Sequence, residues 1–394
     1  MSNAMQDSKP IAIANLFRPP LWRGRRATGW PTVIALLWFC VGWGTANVFG
    51  DEPAAPVPAI WVKHKAASGQ IREVTGRKIV GAADGGILLM TDDGQMLTLQ
   101  PENTLDVRTD VGDFVAATAD QVVKRLGDEL TAFETFRTQN YILAYNGSQR
   151  HARSVGQLLE QTHRTFFNFW KGQGLKLDQP EWPLVALVFK NRDDYLAYAT
   201  EHNIPRAGSL LGFYNLSSNR IITYNVPNWE RNLATIVHEA THQLAFNTGL
   251  QKRECDNPVW ASEGIAMFFE AVDLKNTNSF RGVGRVNNVN LKRWWKYFKT
   301  RPADSLSTLI GRDDRLYDEG TVADAYGESW ALTYFLLRTR GKQYIKYLQL
   351  IREGKPVIRS SPRERIAQFE QAMGTSIEKL DLQFIKYMRR VNLQ

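Results

Sequence analysis

The sequence has few residues of the kind that cross-link a chain. It contains two cysteines, Cys40 and Cys255, among 394 residues, so no disulfide framework holds the fold. No internal repeat is visible either, which excludes solenoid and propeller architectures. The fold must therefore rest on an apolar core. A composition of 43% apolar and 23% charged residues is typical of a globular protein that has one.

The sequence also lacks a strong excess of charge of one sign. The 49 Lys and Arg exceed the 40 Asp and Glu by nine; four of this excess lie in residues 1–50, and the other five are spread along the rest of the chain. No basic run is interleaved with aromatic residues in a nucleic-acid-binding motif. The sequence therefore predicts no nucleic-acid partner, and it gives no indication of an oligomeric state.

The first 50 residues predict a targeting segment. Residues 1–4 resemble the remnant of an expression tag, and a basic stretch over 18–26 precedes an uncharged run over 30–50. The apolar residues 33–41 match the hydrophobic region of a signal peptide. If the run 30–50 were retained, its 21 residues would span a bilayer, with the basic side in the cytoplasm. Both outcomes predict export, as a periplasmic, secreted or membrane-anchored protein.

Changes in composition divide the rest of the chain. Residues 51–58 are rich in proline and predict a linker. Over 59–112, short apolar runs alternate with Asp-Gly turns, which predicts a small SH3-like β-barrel module. Over 115–394, strands alternate with helices and helices then predominate, which predicts the α+β class. The predicted helices are 117–134, 149–170 and 192–201, and the predicted strands are 141–145, 184–189, 211–215 and 220–224.

One motif in the second region carries recognisable chemistry. The sequence His-Glu-Ala-Thr-His begins at His238 and lies in an apolar helical pattern over 229–247. On a helix, His238 and His242 are one turn apart on the same face, so both imidazoles can reach one metal ion. Glu239 lies beside them, where it could deprotonate a water at that ion. The alternative is an exposed helix with two solvated histidines, but the apolar neighbours disfavour it.

A catalytic zinc site needs a third protein ligand, and the next helical segment offers one. Glu263 and Glu270 are seven residues apart on one face of a segment that begins near Pro258 and otherwise looks buried. A buried carboxylate needs a partner, and a metal ion beside Glu263 would supply it. We therefore predict that Glu263 is the third ligand and that Glu270 orients a ligating histidine through its second N–H. The alternative is that both glutamates pair with Lys or Arg.

These motifs resemble those of the gluzincin peptidases. His-Glu-x-x-His followed by Trp-x-x-Glu-Gly-x-Ala and a further Glu is similar to the aminopeptidase-N-like members of the Peptidase MA clan. It is most similar to an exported bacterial family of unknown function, DUF1570. The resemblance covers about 136–350 and implies a zincin-type domain, with a mixed sheet, an active-site helix and then a helical subdomain. It also implies one Zn²⁺ ion. The matching residues outside the first motif are Trp260, Glu263, Gly264, Ala266 and Glu270.

The resemblance implies roles for further residues. Such enzymes stabilise the oxyanion with a downstream tyrosine, and Tyr326 stands at the corresponding place. They also bind substrate along an edge strand ahead of the metal helix, which corresponds here to Gly212, Phe213 and Tyr214. The aminopeptidases carry a Gly-x-Met-Glu-Asn element on that strand, and this chain lacks it. Strict aminopeptidase activity is therefore disfavoured.

The sequence thus predicts an exported zinc metallopeptidase that acts on a peptide or protein substrate, with Glu239 as general base. Two alternatives remain open. One is a non-enzymatic exported binding protein, in which the zinc site is vestigial or structural. The other is a zinc amidase that acts on cell-wall amides, although no wall-binding repeat is present.

Overall fold

The computed structural model describes residues 56–66, 69–204, 207–226, 228–271 and 283–394. The predicted targeting run at 30–50 and residues 51–55 of the predicted linker at 51–58 lie outside these residues. Within the described part of the chain, no helix is both long enough and apolar enough to cross a bilayer.

The N-terminal module is an antiparallel sheet of five strands in the order β4-β3-β2-β1-β5. The predicted barrel is wrong, because β4 and β5 stay at opposite edges and do not pair. The outer edge of β4 is used elsewhere: the Met96 N–H donates to the Ser217 carbonyl, 2.7 Å away, in the following domain. The strands are β1 Ile60–Lys65, β2 Ile71–Gly81, β3 Ile87–Thr91, β4 Met96–Leu99 and β5 Thr104–Arg108.

A second, mixed sheet of five strands follows, in the order β6-β7-β8-β10-β9. Strands β7, β8 and β10 are parallel, while β6 and β9 are antiparallel edge strands. Crossover helices connect the parallel strands, as parallel pairing requires. The strands are β6 Glu134–Arg137, β7 Tyr141–Tyr145, β8 Leu184–Phe189, β9 Gly212–Asn215 and β10 Arg220–Tyr224.

Helices cover both faces of the mixed sheet. Because side chains alternate along a strand, Ile221 of β10 packs in the core cluster with α2 and α4, and Ile222 packs in the cluster with α1 and α3. The sheet is therefore buried on both faces. These helices are α1 Ala119–Glu129, α2 Gln149–Gly172, α3 Arg192–Glu201 and α4 Trp229–Asn247.

Most of the predicted elements of this half are confirmed, and the first helix is the exception. The helix predicted over 117–134 ends at Glu129, and Glu134–Arg137 forms the edge strand β6 instead. Its start is well defined, because Thr118 and Gln121 form a reciprocal capping box. The ladder between β6 and β7 overrides the helical pattern at the other end.

The remainder of the chain is helical, so the predicted α+β class is confirmed. The long helix α9 lies against α5 and α6 and forms the centre of this helical half. The helices are α5 Val259–Phe269, α6 Asn288–Phe298, α7 Ser305–Gly311, α8 Asp314–Tyr317, α9 Val322–Thr339, α10 Gly341–Arg352, α11 Pro362–Met373 and α12 Ile377–Met388.

A buried arginine joins the N-terminal module to the mixed sheet. Arg253 Nη1 donates to the Gly94 carbonyl (2.8 Å) in the module and to the Leu216 carbonyl (3.1 Å) in the β9–β10 turn. Its side chain is only 6% exposed. The module therefore contacts the hairpin that carries the edge strand β9.

Candidate metal centre

Helix α4 presents the His-Glu-x-x-His motif to the protein interior. The helix begins after Asn228, whose side chain accepts from the Arg231 N–H, and it is followed by Gly249 in the left-handed region (φ 72°). His238 and His242 are each 1% exposed, and their Nε2 atoms lie 3.0 Å apart. The one-turn spacing thus converges both imidazoles on one point.

Helix α5 brings Glu263 to the same point. This helix has no cap from its own N-cap residue Pro258, but the Val259 N–H donates to Asp313 Oδ1 at 3.0 Å. Gly264 allows α5 to lie directly on α9, since a Cβ at this position would come within 2.9 Å of the Ser329 carbonyl. Glu263 is fully buried as a result.

The three side chains have the geometry of a ligand set. Glu263 Oε2 lies 3.3 Å from His238 Nε2, and Glu263 Oε1 lies 4.0 Å from His242 Nε2. Ligands at about 2.0 Å from a tetrahedral ion stand about 3.3 Å apart, so these separations are suitable. The carboxylate of Glu263 faces these imidazoles and the phenol of Tyr326, and the described residues place no arginine or lysine against it. The His/His/Glu group could therefore hold one metal ion, and its donors suit Zn²⁺.

Glu270 lies behind His238 at the C-terminal end of α5. Its Oε1 is 2.5 Å from His238 Nδ1, and its Oε2 accepts from Asn287 Nδ2 at 3.1 Å. If Nδ1 carries the proton, the lone pair of Nε2 is directed at Glu263 and His242. Glu270 thus contacts the imidazole of His238, and Asn287 fixes the orientation of its carboxylate.

Glu239 connects the motif helix to the edge strand β9. Its Oε2 accepts from the Tyr214 N–H at 2.7 Å, and its Oε1 is buried without a partner. One oxygen is therefore held by the backbone, and the other is available for a proton. Burial raises the pKa of Glu239 to about 8, with Glu263 adding to the rise and His238 opposing it.

The pKa values of the ligand set reflect charges crowded in a dry site. Burial alone would lower the pKa of His238, but Glu263 and Glu270 outweigh it and raise that pKa well above its usual value. Burial and the neighbouring His238 lower the pKa of His242 well below its usual value. Burial raises the pKa of Glu263, and His238 opposes the rise. The two carboxylates thus favour a positive charge on His238, whereas His242 favours its neutral form.

Tyr326 is the remaining predicted catalytic residue, and it lies on α9 beside Glu263. Burial, followed by the charge of Glu263, raises the pKa of Tyr326 well above its usual value, so the phenol stays protonated. Tyr326 is 2% exposed. The structure therefore brings a neutral O–H donor to the edge of the ligand set.

The predicted substrate strand lies at the site, but its side chains face inward. Phe213 and Tyr214 are fully buried in the two core clusters. Gly212 is tight against the neighbouring strand, because a Cβ there would lie 3.0 Å from the Thr223 side chain. Only the backbone of β9 can therefore contact an added strand.

Sequence reasoning missed an amide cluster that holds β9 next to α4. Asn219 and Asn247 exchange two side-chain hydrogen bonds (2.9 and 2.7 Å), and Asn219 Oδ1 also accepts from the Tyr214 hydroxyl (2.7 Å). Gln243, next to the ligand His242, donates to the Asn219 carbonyl at 2.9 Å. No local pattern signals these contacts. The turn-like Ser-Ser-Asn that ends at Asn219 was the one hint in the sequence, and Asn219 adopts a positive φ of 60° in the structure.

Fold and site together define the class coarsely, as an α+β protein with a buried His/His/Glu group that could hold a metal ion. A family model described as "Protein of unknown function (DUF1570)" matches residues 232–358. This span contains the motif, Glu263, Glu270 and Tyr326, and it agrees with the resemblance to that family drawn from the sequence. A search of curated proteins found no match.

Proposed function

We propose that the protein is a zinc-dependent peptidase of the gluzincin type, exported from the cytoplasm. The observation that carries the proposal is the convergence of two imidazole nitrogens and a fully buried carboxylate that has no arginine or lysine partner in the described residues. Isolated buried charge is costly, and a divalent cation would relieve that cost here. The resemblance to gluzincins supports the choice of zinc and of peptide bonds.

The site residues would divide the work as follows. A zinc ion held by His238, His242 and Glu263 would supply Lewis acidity for a carbonyl oxygen and acidify a water. Glu239 would accept the proton of the attacking water on Oε1, while the Tyr214 N–H holds Oε2. The same carboxylic acid would then protonate the leaving nitrogen. Tyr326 would donate its O–H to the developing oxyanion.

The Glu239→Gln variant is the central test. We expect it to retain zinc as wild type does, because Glu239 is not one of the proposed ligands. Its hydrolysis of casein should fall by roughly 10²–10⁴, because a general base is removed. Metal content by mass spectrometry and casein turnover measure the two properties separately. Wild-type turnover in this variant would reject the role of Glu239.

Ligand variants test the metal itself. His238→Ala and Glu263→Ala should lose zinc after dialysis against a chelator, whereas wild type and Glu239→Gln should keep it. Peptidoglycan fragments offered in parallel with casein distinguish amidase from peptidase activity. Zinc retention in all variants, or turnover of neither substrate by zinc-loaded wild type, would contradict the proposal.

A further inference from the structure

The motif helix carries a buried amide side chain, Asn232, that the proposed mechanism does not use. Asn232 of α4 is 0% exposed, and neither its Oδ1 nor its Nδ2 has a hydrogen-bond partner. In the described part of the chain, Asn232 is the one side-chain amide with both polar atoms buried and unpartnered. It lies six residues before His238.

Asn232 lies on the same face of α4 as Glu239. Seven residues correspond to about 700° of helix rotation, so the two side chains differ by only about 20° in direction. They are separated along the axis by about 10 Å. The same face continues to Gln243 and Asn247, which contact the hairpin between β9 and β10.

This polar face runs alongside the edge strand β9. Asn247 contacts Asn219 in the hairpin turn, and Glu239 contacts Tyr214 of β9. These two contacts fix the direction of the helix relative to the strand. The N-terminal part of α4 therefore lies towards the start of β9, near Gly212. Asn232 lies further along the same line than Glu239, beside the path of a strand added at the β9 edge.

The state of Asn232 contrasts with that of Asn247 on the same helix. Asn247 is 8% exposed, but both of its polar atoms are hydrogen-bonded. An unpartnered buried amide destabilises a fold, and an apolar residue of similar size would avoid this cost. The carboxamide of Asn232 offers a donor and an acceptor side by side, which is the complement of a peptide group.

We propose that Asn232 binds a main-chain peptide group of an extended substrate. Residues of a strand are spaced about 3.3 Å apart, so the bound group lies about three residues from the hydrolysed bond. This inference rests on the proposed peptidase function and adds a subsite to it. Asn232 and the ligand set are enclosed to the same extent, at 0–1% exposure, so peptide binding at either place requires local opening of the fold.

The test compares Asn232→Leu with Asn247→Leu in zinc-loaded Glu239→Gln protein. The probes are fluorescein-labelled peptides cut from one casein sequence, about four, seven and ten residues long to span the distance to Asn232. Fluorescence anisotropy gives the affinity for each length, and thermal unfolding gives the melting temperature. The background variant prevents hydrolysis, so binding is measured independently of catalysis.

We expect the longer peptides to bind more tightly than the shortest. Asn232→Leu should weaken the affinity for the longer peptides by roughly tenfold and leave that for the shortest unchanged. Asn232→Leu should also raise the melting temperature by roughly 2 °C or more, because an unsatisfied amide is lost. Asn247→Leu should lower it, because Asn219 loses its partner. A purely structural Asn232 would leave the length dependence unchanged.

Unchanged length dependence in Asn232→Leu overturns the inference, whatever the melting temperature. If the leucine variant fails to fold, Asn232→Ala is measured in the same way and decides by the same criterion. Length-dependent binding that needs Asn232, without hydrolysis by wild type, would reject the peptidase and keep the subsite. Binding of no peptide at any length would reject both.

Discussion

Two fully buried glutamates on adjacent helices differ in the partners that the chain provides. Glu328 of α9 and Glu263 of α5 are both 0% exposed. Glu328 accepts from Arg301 Nε at 2.7 Å and from the Ser305 hydroxyl, and Arg315 Nη2 lies 2.9 Å away. Among the described residues Glu263 has no arginine or lysine partner, and it faces the two imidazoles at 3.3 and 4.0 Å and the Tyr326 phenol.

The chain supplies arginines for one of these carboxylates and only imidazoles for the other. Arg301 and Arg315 balance Glu328 and Asp381 within the helical half. In the described residues the basic group nearest to Glu263 is His238, at 3.3 Å. Burial of a charge is tolerated only when it is paired or bound to a metal, and under the proposed function a bound cation would balance Glu263.

The largest expected effect on stability comes from replacing Glu328, the glutamate that is paired with arginines. Glu328→Gln should lower the free energy of unfolding by about 3–5 kcal/mol, because Arg301 and Arg315 lose their common partner in the interior. Urea unfolding of the metal-free protein measures it. The exposed Glu319→Gln is the matched control, expected within about 0.5 kcal/mol of wild type. A loss as small as that control would show that the Glu328 network contributes little.

For Glu263, in contrast, we expect no loss of stability in the metal-free protein. Glu263→Gln should leave the metal-free protein as stable as wild type or more so, because burial raises the pKa of Glu263 and disfavours its charged form, which glutamine lacks. Zinc at 100 times its Kd should stabilise wild type by about 2.7 kcal/mol and the variant much less. Thermal unfolding with and without zinc measures both. Equal stabilisation of the two proteins would remove Glu263 from the ligand set.

Gly264 lies at the contact between α5 and α9, the helices that carry the two glutamates. Gly264→Ala should destabilise the protein by about 1–3 kcal/mol, because its Cβ meets the Ser329 carbonyl and the Thr333 hydroxyl of α9. Zinc affinity should fall as well, since Glu263 is displaced with α5.

Gly127→Ala is the control for this glycine. Nothing lies within 4 Å of a Cβ at Gly127 in α1, so alanine there should stabilise slightly, by about 0.4–1 kcal/mol. Urea unfolding of both variants gives the comparison. Similar changes in the two would mean that the contact of α5 with α9 tolerates a side chain at Gly264.

The local parts of the site could be predicted from sequence, because they depend on helix periodicity. The spacing of His238 and His242 fixes their common face, and an apolar segment around Glu263 indicates its burial. The strands 184–189 and 220–224 were predictable from their short apolar runs. These signals are contained within about 20 residues of chain.

The remaining contacts could not be predicted, because they join residues that are distant in sequence and follow no period. The bond from the Tyr214 N–H to Glu239 depends on how β9 is positioned against α4. Likewise, nothing near Glu270 indicates Asn287 as its partner. The barrel prediction failed for the same reason, since the partner of Met96 lies in the β9–β10 turn.

The link through Arg253 determines how the chain can be shortened. A fragment that begins at residue 115 would lack the Gly94 carbonyl that accepts from Arg253 and the Met96 N–H that donates to the Ser217 carbonyl. The loss of these hydrogen bonds would destabilise the hairpin whose backbone holds Glu239. Expression boundaries that preserve the His/His/Glu group should therefore lie upstream of β1, so that the small sheet stays with the hairpin that contacts the motif helix.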